Sequence, residues 1–189
     1  DAKPDGSPPN NWQAMFGGPS WTWDARRRQY YLHNFLPQQP DLNVRNPAVQ
    51  EALLDVARFW LERGVDGFRF DVVNFLIHDA KLRDNPGIRR SEPPARPHQF
   101  QRHLYDRTQP ETLDFLARVR ALLDEHGAVS VGEIEDEEPL RVQLQYTDGP
   151  DRLHSAYSFF LLSQRAMTPG IIAEAMAGWD GARGLPAWS

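Results

Sequence analysis

Gly64-Val65-Asp66-Gly67-Phe68-Arg69-Phe70-Asp71 is the stretch of sequence that decides the fold. It predicts a short strand that begins at Val65 and ends on the carboxylate of Asp71. Because side chains two apart on a strand lie on one face, Arg69 and Asp71 share a side, and the two phenylalanines take the other. A charged pair at a strand end costs free energy to desolvate and is unusual as a purely structural feature. Asp71 is therefore a candidate nucleophile.

A helix is predicted directly before this strand. Asn46 suits the N-cap position, Pro47 the first helical position, and Gly64 the left-handed residue that follows a helix. Between them, apolar side chains recur at steps of three and four residues, as on the buried face of a helix. They are Val49, Leu53, Val56, Phe59 and Trp60. Helix and strand are therefore joined by a very short turn.

A second helix and strand follow further along the chain. Thr108-Gln109-Pro110-Glu111 predicts a capping box, and the leucine-rich segment after it predicts a helix that closes at His126-Gly127. Ala128 to Glu133 then predicts a second strand. This strand also ends on a carboxylate, so Glu133 is the second candidate for chemistry.

Three further segments complete the pattern. Leu153 to Leu162 predicts a third strand, alone or running into a helix; Thr168 to Gly178 predicts a helix; Leu185 to Trp188 begins a fourth strand. This alternation predicts an α/β fold with a parallel sheet, either a barrel or a doubly wound sheet. No Gly-x-Gly-x-x-Gly, phosphate loop or Gly-x-Ser-x-Gly elbow follows a predicted strand, which argues against nucleotide-binding and serine-hydrolase folds.

The composition excludes several classes of partner and site. The net charge is −5, and no apolar run approaches the ~20 residues of a membrane span, so neither nucleic acid nor a membrane is expected as a partner. The absence of cysteine excludes disulfides and cysteine-based sites, and it fits a reducing, cytoplasmic location. His98 and His103 lack the spacing of a zinc motif. We therefore predict no metal and no cofactor.

Residues 1 to 45 hold many aromatic side chains among glycines and prolines, with almost no helical periodicity. They include Trp12, Phe16, Trp21, Trp23, Tyr30, Tyr31 and Phe35. Two interpretations are open: a loop packed over a core, or a wall that binds sugar, because aromatic faces pack on pyranose rings. The segment from Phe75 to Arg107 is also aperiodic, and its length predicts a lid or rim over the strand end.

The two strand-end carboxylates indicate a specific chemistry. Active sites of (β/α) barrels lie at the C-terminal ends of the strands. Neighbouring strands lie about 4.8 Å apart, close to the ~5 Å that separates the carboxyl groups of a retaining glycosidase. Arg69 would keep Asp71 ionised, while burial and the charge of Asp71 would raise the pKa of Glu133 toward that of an acid. The alternative is a structural Arg69–Asp71 salt bridge with Glu133 in solvent.

Several motifs resemble the alpha-amylase superfamily, glycoside hydrolase family thirteen, on its alpha-glucosidase and oligo-1,6-glucosidase branch. Gly67 to Asp71 resembles the motif of strand four, with its arginine and nucleophilic aspartate, and Val131-Gly132-Glu133 resembles the motif of strand five, with its proton donor. Gln39-Pro40-Asp41-Leu42-Asn43 is similar to the signature that precedes the strand-four helix. Further segments similar to that branch are Asn10-Asn11-Trp12, Phe16-Gly17-Gly18 and Gln29-Tyr30-Tyr31-Leu32-His33.

The resemblance implies a partial (β/α)8 TIM barrel, roughly strands four to six with long βα loops. Residues 1–45 would end an inserted, aromatic-rich loop domain, and residues 46–189 would be barrel with a rim loop at 75–107. It implies a retaining, exo-acting alpha-glucosidase that hydrolyses short oligosaccharides resembling maltose or isomaltose. Asp71 would be the nucleophile and Glu133 the acid, while Phe16 and Phe35 would line the glucose pocket. Val72 would sense the linkage and lean toward alpha-1,6 bonds.

Two family motifs are absent: the strand-three motif that ends in Asn-His and the later His-Asp motif with the third catalytic aspartate. The chain is therefore expected to be the central piece of a longer enzyme, inactive and poorly folded alone because its open sheet edges are exposed. Two alternatives remain. One is a glucosyltransferase or disaccharide isomerase with the same residues. The other is a non-catalytic sugar-binding or transporter-associated relative, against which the presence of Asp71 and Glu133 argues.

Overall fold

The computed structural model describes residues 2–89, 96–177 and 185–186, the last two by their backbone. These residues form two compact units, each built from two stretches of chain. The sheet unit comprises Val44–Leu76 and Pro110–Ser189. The loop unit comprises Asp1–Asn43 and Ile77–Gln109. The chain therefore leaves the sheet unit soon after Asp71 and returns to it at the start of the next helix.

Four parallel strands form the centre of the sheet unit, in the order β3-β4-β5-β6. They are β3 (Gly67–Phe70), β4 (Val129–Ile134), β5 (Ser155–Ser158) and β6 (Leu185–Pro186). The helices are α1 (Pro47–Leu61), α2 (Glu111–Glu125), α3 (Pro139–Thr147) and α4 (Pro169–Ala177). The predicted alternation of helices and parallel strands is confirmed. The first strand is shorter than predicted, since Val65, Asp66 and Asp71 lie outside it.

The core of the sheet unit lies on one face of the sheet, between the strands and the helices. Ile134 and Ala156 project from β4 and β5, and Leu116, Val142 and Tyr146 cover them from α2 and α3. All five side chains are buried. Because side chains alternate along a strand, this packing leaves Arg69, Val131 and Glu133 on the opposite face of the sheet. That face is where the two candidate carboxylates are positioned.

Glycine permits the close pairing of β3 with β4. A Cβ atom on Gly67 would overlap the carbonyl oxygen of Val129, and one on Gly132 would lie 2.5 Å from Leu153 Cδ1. Neither position accepts a side chain without moving a neighbouring strand or a buried leucine. Gly67 therefore permits the close pairing of β3 with β4, and Gly132 leaves room for the side chain of Leu153 against the sheet.

Helix α1 has the predicted ends but not the predicted buried face. Asn46 Oδ1 accepts a hydrogen bond from the backbone N–H of Ala48, and Gly64 has φ of +86°. Leu54 and Leu61 are buried, whereas Val56, Phe59 and Trp60 are about half exposed. The predicted face is therefore wrong for those three residues. Periodicity marks which side chains are apolar, but not which of them meet a neighbour in the described part of the chain.

The predicted capping box at Thr108 to Glu111 is wrong. Helix α2 begins at Glu111, its N-cap is Pro110, and no side chain caps it. Thr108 instead has φ of +55°. The Glu111 carboxylate accepts two hydrogen bonds of 3.0 Å from the guanidinium of Arg45, which is distant in sequence.

The loop unit contains an antiparallel hairpin that the sequence pattern does not predict. Strands β1 (Trp21–Asp24) and β2 (Gln29–Leu32) pair from Trp21 opposite Leu32 to Asp24 opposite Gln29. Trp12 is fully buried, with its ring centroid 6.1 Å from that of Trp21. For this pair of tryptophans, the packing interpretation is therefore correct.

The segment predicted as a rim loop is held by buried polar groups within the loop unit. His103 Nδ1 lies 2.6 Å from Asp106 Oδ2, and the rings of His98 and His103 stack at 3.8 Å. Burial and the nearby Arg107 charge lower the pKa of His98 to about 3, so its ring is neutral. Within residues 2–89 and 96–177, no group of three His, Cys, Asp or Glu side chains is placed to hold a metal ion.

No helix in the described ranges has the length and apolarity needed to cross a membrane. The predicted start of α4 is confirmed, since Pro169 is its first residue and Thr168 Oγ1 accepts from Ile171 N. The predicted fourth strand is present at Leu185–Pro186. Its continuation through Trp188 and the predicted helix end at Gly178 lie outside the described residues.

Candidate active site

The register of β3 and β4 places the two candidate carboxylates level with each other. Phe70 pairs with Gly132, so the residues that follow them, Asp71 and Glu133, occupy equivalent positions. Both lie at the C-terminal end of the sheet, on the face opposite the core. The strand-end juxtaposition expected from the sequence is therefore present, and it depends on parallel pairing without a register offset.

Arg69 joins the two carboxylates. Its Nη1 donates to Asp71 Oδ1 and its Nη2 donates to Glu133 Oε2. A guanidinium presents five N–H donors in one plane, so it can hold two carboxylates while a positive charge lies between them. The sequence assigned Arg69 to Asp71 alone. The structure adds Glu133, because the next strand brings its side chain within reach of the same fork.

The two carboxylates have different environments. The Asp71 side chain is 74% exposed, whereas that of Glu133 is 10% exposed. Burial raises the pKa of Glu133, and contact with the Asp71 carboxyl group raises it further. The Arg69 charge and the backbone N–H of Val72 act in the opposite direction, but burial is the largest effect. Glu133 is therefore the member of the pair with the greater tendency to hold a proton.

Val72 links the two carboxylates through the backbone. It has φ of 33° and ψ of 52°, a left-handed conformation that a β-branched residue rarely adopts. It immediately precedes the 3-10 turn Val73–Phe75. Its backbone N–H donates to the Glu133 carboxylate. Backbone strain of this kind persists where the surrounding structure fixes it, and it is often found at functional sites.

Phe16 and Phe35 lie together in the loop unit. Their ring centroids are 5.7 Å apart, and Phe16 is 58% exposed. An exposed aromatic pair is a suitable surface for the apolar face of a sugar. Their role in lining a glucose pocket stays a prediction.

Tyr157 is the residue of this site that the sequence analysis missed. It lies on β5, where it pairs with Glu133, and its hydroxyl accepts hydrogen bonds from Arg69 Nε at 3.1 Å and Nη2 at 2.7 Å. The sequence predicts a strand in the segment Leu153 to Leu162, so the element that carries Tyr157 is expected. The missing information was the register of that strand against β4, which the sequence does not state.

Comparison with known proteins identifies the family. The model of the alpha-amylase catalytic domain matches residues 1–172. The chain belongs to the alpha-amylase family. The relationship inferred from the motifs around Asp71 and Glu133 is thus confirmed across most of the sequence.

The alpha-amylase relatives include enzymes that hydrolyse and enzymes that transfer glucosyl groups. A probable alpha-glucosidase of Rhizobium meliloti (strain 1021) is 53% identical over 184 residues, which cover 93% of this chain and 33% of that protein. The crystal structure of the alpha-glucosyl transfer enzyme XgtA is 48% identical, with a TM-score of 0.91, and covers 100% of this chain and 36% of its own. An amino acid transporter heavy chain, SLC3A1 of Rattus norvegicus, is 50% identical over 88 residues, 47% of this chain and 13% of that protein.

This alpha-amylase chain spans about a third of the length of the first two relatives. The agreement with XgtA over all of it shows that its fold is part of the TIM barrel of that family. The α/β barrel expected from the sequence is therefore confirmed at this level.

Proposed function

We propose that this chain carries the nucleophile and the acid–base residue of a retaining, exo-acting alpha-glucosidase that acts on short oligosaccharides. One observation carries the proposal. Two carboxylates, Asp71 and Glu133, lie level on neighbouring parallel strands, and the environment raises the pKa of the more buried one. Retention requires a pair in which one carboxylate attacks and the other begins protonated. Asp71 takes the first role and Glu133 the second.

In the first step, an Asp71 oxygen attacks the anomeric carbon and forms a glucosyl ester. Glu133 gives its proton to the glycosidic oxygen as that bond breaks, and the shortened sugar leaves as an alcohol. In the second step, the Glu133 carboxylate takes a proton from water, the water oxygen attacks the same carbon, and Asp71 is released. Two inversions leave the glucose with its original alpha configuration.

Arg69 serves both steps through its two contacts. Before attack, its Nη1 holds the Asp71 carboxyl group in place. After Glu133 has given up its proton, the Arg69 charge stabilises the new carboxylate until it activates water. The hydrogen bonds that Arg69 donates to the Tyr157 hydroxyl and to the Asp71 carboxyl group raise the pKa of Arg69 above its usual value, so the guanidinium stays charged throughout.

We further propose that β3, β4 and β5 correspond to strands four to six of the barrel, that residues 1–45 end an inserted loop domain, and that 75–107 form a rim. Phe16 and Phe35 shape the pocket for the terminal glucose, and Val72 contributes to linkage preference. The substrate is a maltose- or isomaltose-like oligosaccharide. We assign a cytoplasmic location because a sequence without cysteine fits a reducing compartment.

Glucosyl transfer is the second candidate function, because the similar structure XgtA is named as an alpha-glucosyl transfer enzyme. The first step is identical, and an acceptor sugar replaces water in the second. A non-catalytic, transporter-associated function, considered because one relative is named as an amino acid transporter heavy chain, gives no reason for Asp71 and Glu133 to share Arg69.

The test uses the complete gene product with maltose, isomaltose and p-nitrophenyl α-glucoside, monitored by proton NMR. Hydrolysis is expected to release α-glucose first, before mutarotation, while p-nitrophenyl β-glucoside stays intact. Release of β-glucose first would contradict the assignment of a covalent nucleophile. Transfer would be favoured if dilute maltose gave more of the longer oligosaccharides than of free glucose.

A further inference from the structure

Tyr157 occupies a position from which it can control Arg69. It lies on β5, in register with Glu133 on β4, and paired residues of parallel strands project to the same side of the sheet. Arg69 lies two strands away on β3, and its side chain extends across the sheet to reach the phenol. Three consecutive strands thus contribute to one polar group of side chains.

Two hydrogen bonds to Tyr157 hold one edge of the Arg69 guanidinium. Nε and Nη2 both donate to the phenol oxygen, at 3.1 Å and 2.7 Å. The Arg69 Cζ atom also lies 5.8 Å from the centroid of the tyrosine ring. Since the guanidinium is rigid and planar, two donors held on one edge fix the direction in which the other donors point. Nη1 is thereby directed at Asp71.

Arg69 needs such an anchor because 48% of its side chain is exposed. A long, partly solvated side chain has many accessible rotamers, and holding it in one arrangement opposes its conformational entropy. Its contacts with Asp71 and Glu133 change during turnover, because Asp71 becomes an ester and Glu133 gives up and regains a proton. The Tyr157 hydroxyl takes part in neither step, so it can hold the guanidinium at every stage.

We propose that Tyr157 is a positioning residue of the glycosidase site, which keeps the Arg69 guanidinium astride the Asp71 and Glu133 carboxylates. This inference rests on the proposed function. Tyr157 itself touches neither the bond that breaks nor the bond that forms. It acts through Arg69, and it divides one positive charge between the nucleophile and the acid.

This role has a consequence for the pH profile. The described charged groups that contact Arg69 are Asp71 and Glu133, and Tyr157 is its neutral partner. An Arg69 that is less well held spends less time beside either carboxylate. Since the Arg69 charge lowers the pKa of Glu133, that pKa should then rise further. The basic limb of kcat/KM should move to higher pH.

The experiment compares Tyr157→Phe with wild type in the complete gene product, using p-nitrophenyl α-glucoside across pH. We expect kcat/KM to fall by about tenfold to a hundredfold, as for loss of a hydrogen bond to a charged group, and the basic limb to move to higher pH. Tyr105→Phe is the matched control, because the Tyr105 ring lies against the Arg83 guanidinium, 4.1 Å from Cζ, and makes no described contact with Arg69, Asp71 or Glu133. It should leave both quantities unchanged.

A double-mutant cycle separates positioning from a structural role. In an Arg69→Lys background, adding Tyr157→Phe should lower kcat/KM by less than about twofold. The residue through which Tyr157 acts has already been changed in that background. Full additivity of the two losses would overturn the inference, as would a fall in activity with an unmoved basic limb. An unchanged kcat/KM in Tyr157→Phe would overturn the positioning role of Tyr157 and leave the proposed function intact. A wild-type protein that leaves α-glucosides intact would overturn both this inference and the proposed function.

Discussion

Replacement of Asp71 by alanine is expected to lower kcat for α-glucosides by about 10⁴- to 10⁶-fold, because it removes the atom that forms the covalent intermediate. The alanine leaves space beside the anomeric carbon, where added azide can act in place of the carboxylate. Azide should therefore restore turnover of an activated substrate such as α-glucosyl fluoride. One displacement inverts the centre, so the expected product is β-glucosyl azide, identified by NMR.

Asp66→Ala is the matched control for Asp71. Asp66 lies directly before β3, at the end of the strand opposite to Asp71. Its backbone oxygen accepts a hydrogen bond from Val129 N, and the substitution retains that hydrogen bond. We expect activity within about twofold of wild type, as for most surface substitutions. Substantial turnover of α-glucosides by Asp71→Ala in the absence of azide would contradict the assignment of Asp71 as nucleophile.

Replacement of Glu133 by glutamine should show a strong dependence on the leaving group. Hydrolysis of maltose is expected to fall by about 10²- to 10⁴-fold, since an alcohol leaves slowly without a proton. The first step with p-nitrophenyl α-glucoside should lose far less, because p-nitrophenolate is a good leaving group. The second step still needs the base, so a burst of p-nitrophenolate should precede slow turnover, measured by stopped flow.

The pH profile of the Glu133 variant tests the same assignment. The environment raises the pKa of Glu133 above its usual value, so wild-type activity should fall as the pH rises through that pKa and the acid loses its proton. In Glu133→Gln this basic limb should disappear. Glu138→Gln, which breaks an exposed ion pair with Arg141, is the control and should retain the limb. An unaltered limb in Glu133→Gln would show that another group is the acid.

The central part of the site was predictable because it depends on local rules. Arg69 and Asp71 share a face through the two-residue period of a strand, and Glu133 ends the next predicted strand. Parallel strands bring their C-terminal ends to one edge, so the two acids could be placed together without a structure. The raised pKa of Glu133 followed from the same argument, and its direction agrees with the structure.

Tyr157 was not predictable because its place depends on a non-local register. A shift of β5 by one residue against β4 would have turned its ring to the opposite face of the sheet. Helix α3 was missed for a different reason. Its sequence, Pro139–Thr147, follows an acidic run and has no N-terminal side-chain cap, so local signals for it are weak. Packing of Val142 and Tyr146 against the sheet stabilises it.

The fold also differs from expectation where a neighbour decides the outcome. Thr108 has the sequence context of an N-cap, yet the helix begins at Glu111, whose carboxylate is held by Arg45. The apolar period of α1 was correct, but Val56, Phe59 and Trp60 remain partly exposed in the described part of the chain. Such outcomes depend on contacts between segments distant in sequence, which propensity and periodicity do not encode.

The most direct test of the proposed mechanism is to trap the covalent intermediate. A fluorinated glucosyl fluoride of α configuration slows both steps, while its good leaving group keeps the first step fast enough for the glucosyl-enzyme to accumulate. Mass spectrometry of the digested complete gene product should find the fluoroglucosyl group on the peptide that contains Gly67 to Asp71, attached to Asp71. A label on Glu133 or on any other residue, or steady turnover without a covalent adduct, would contradict the proposal.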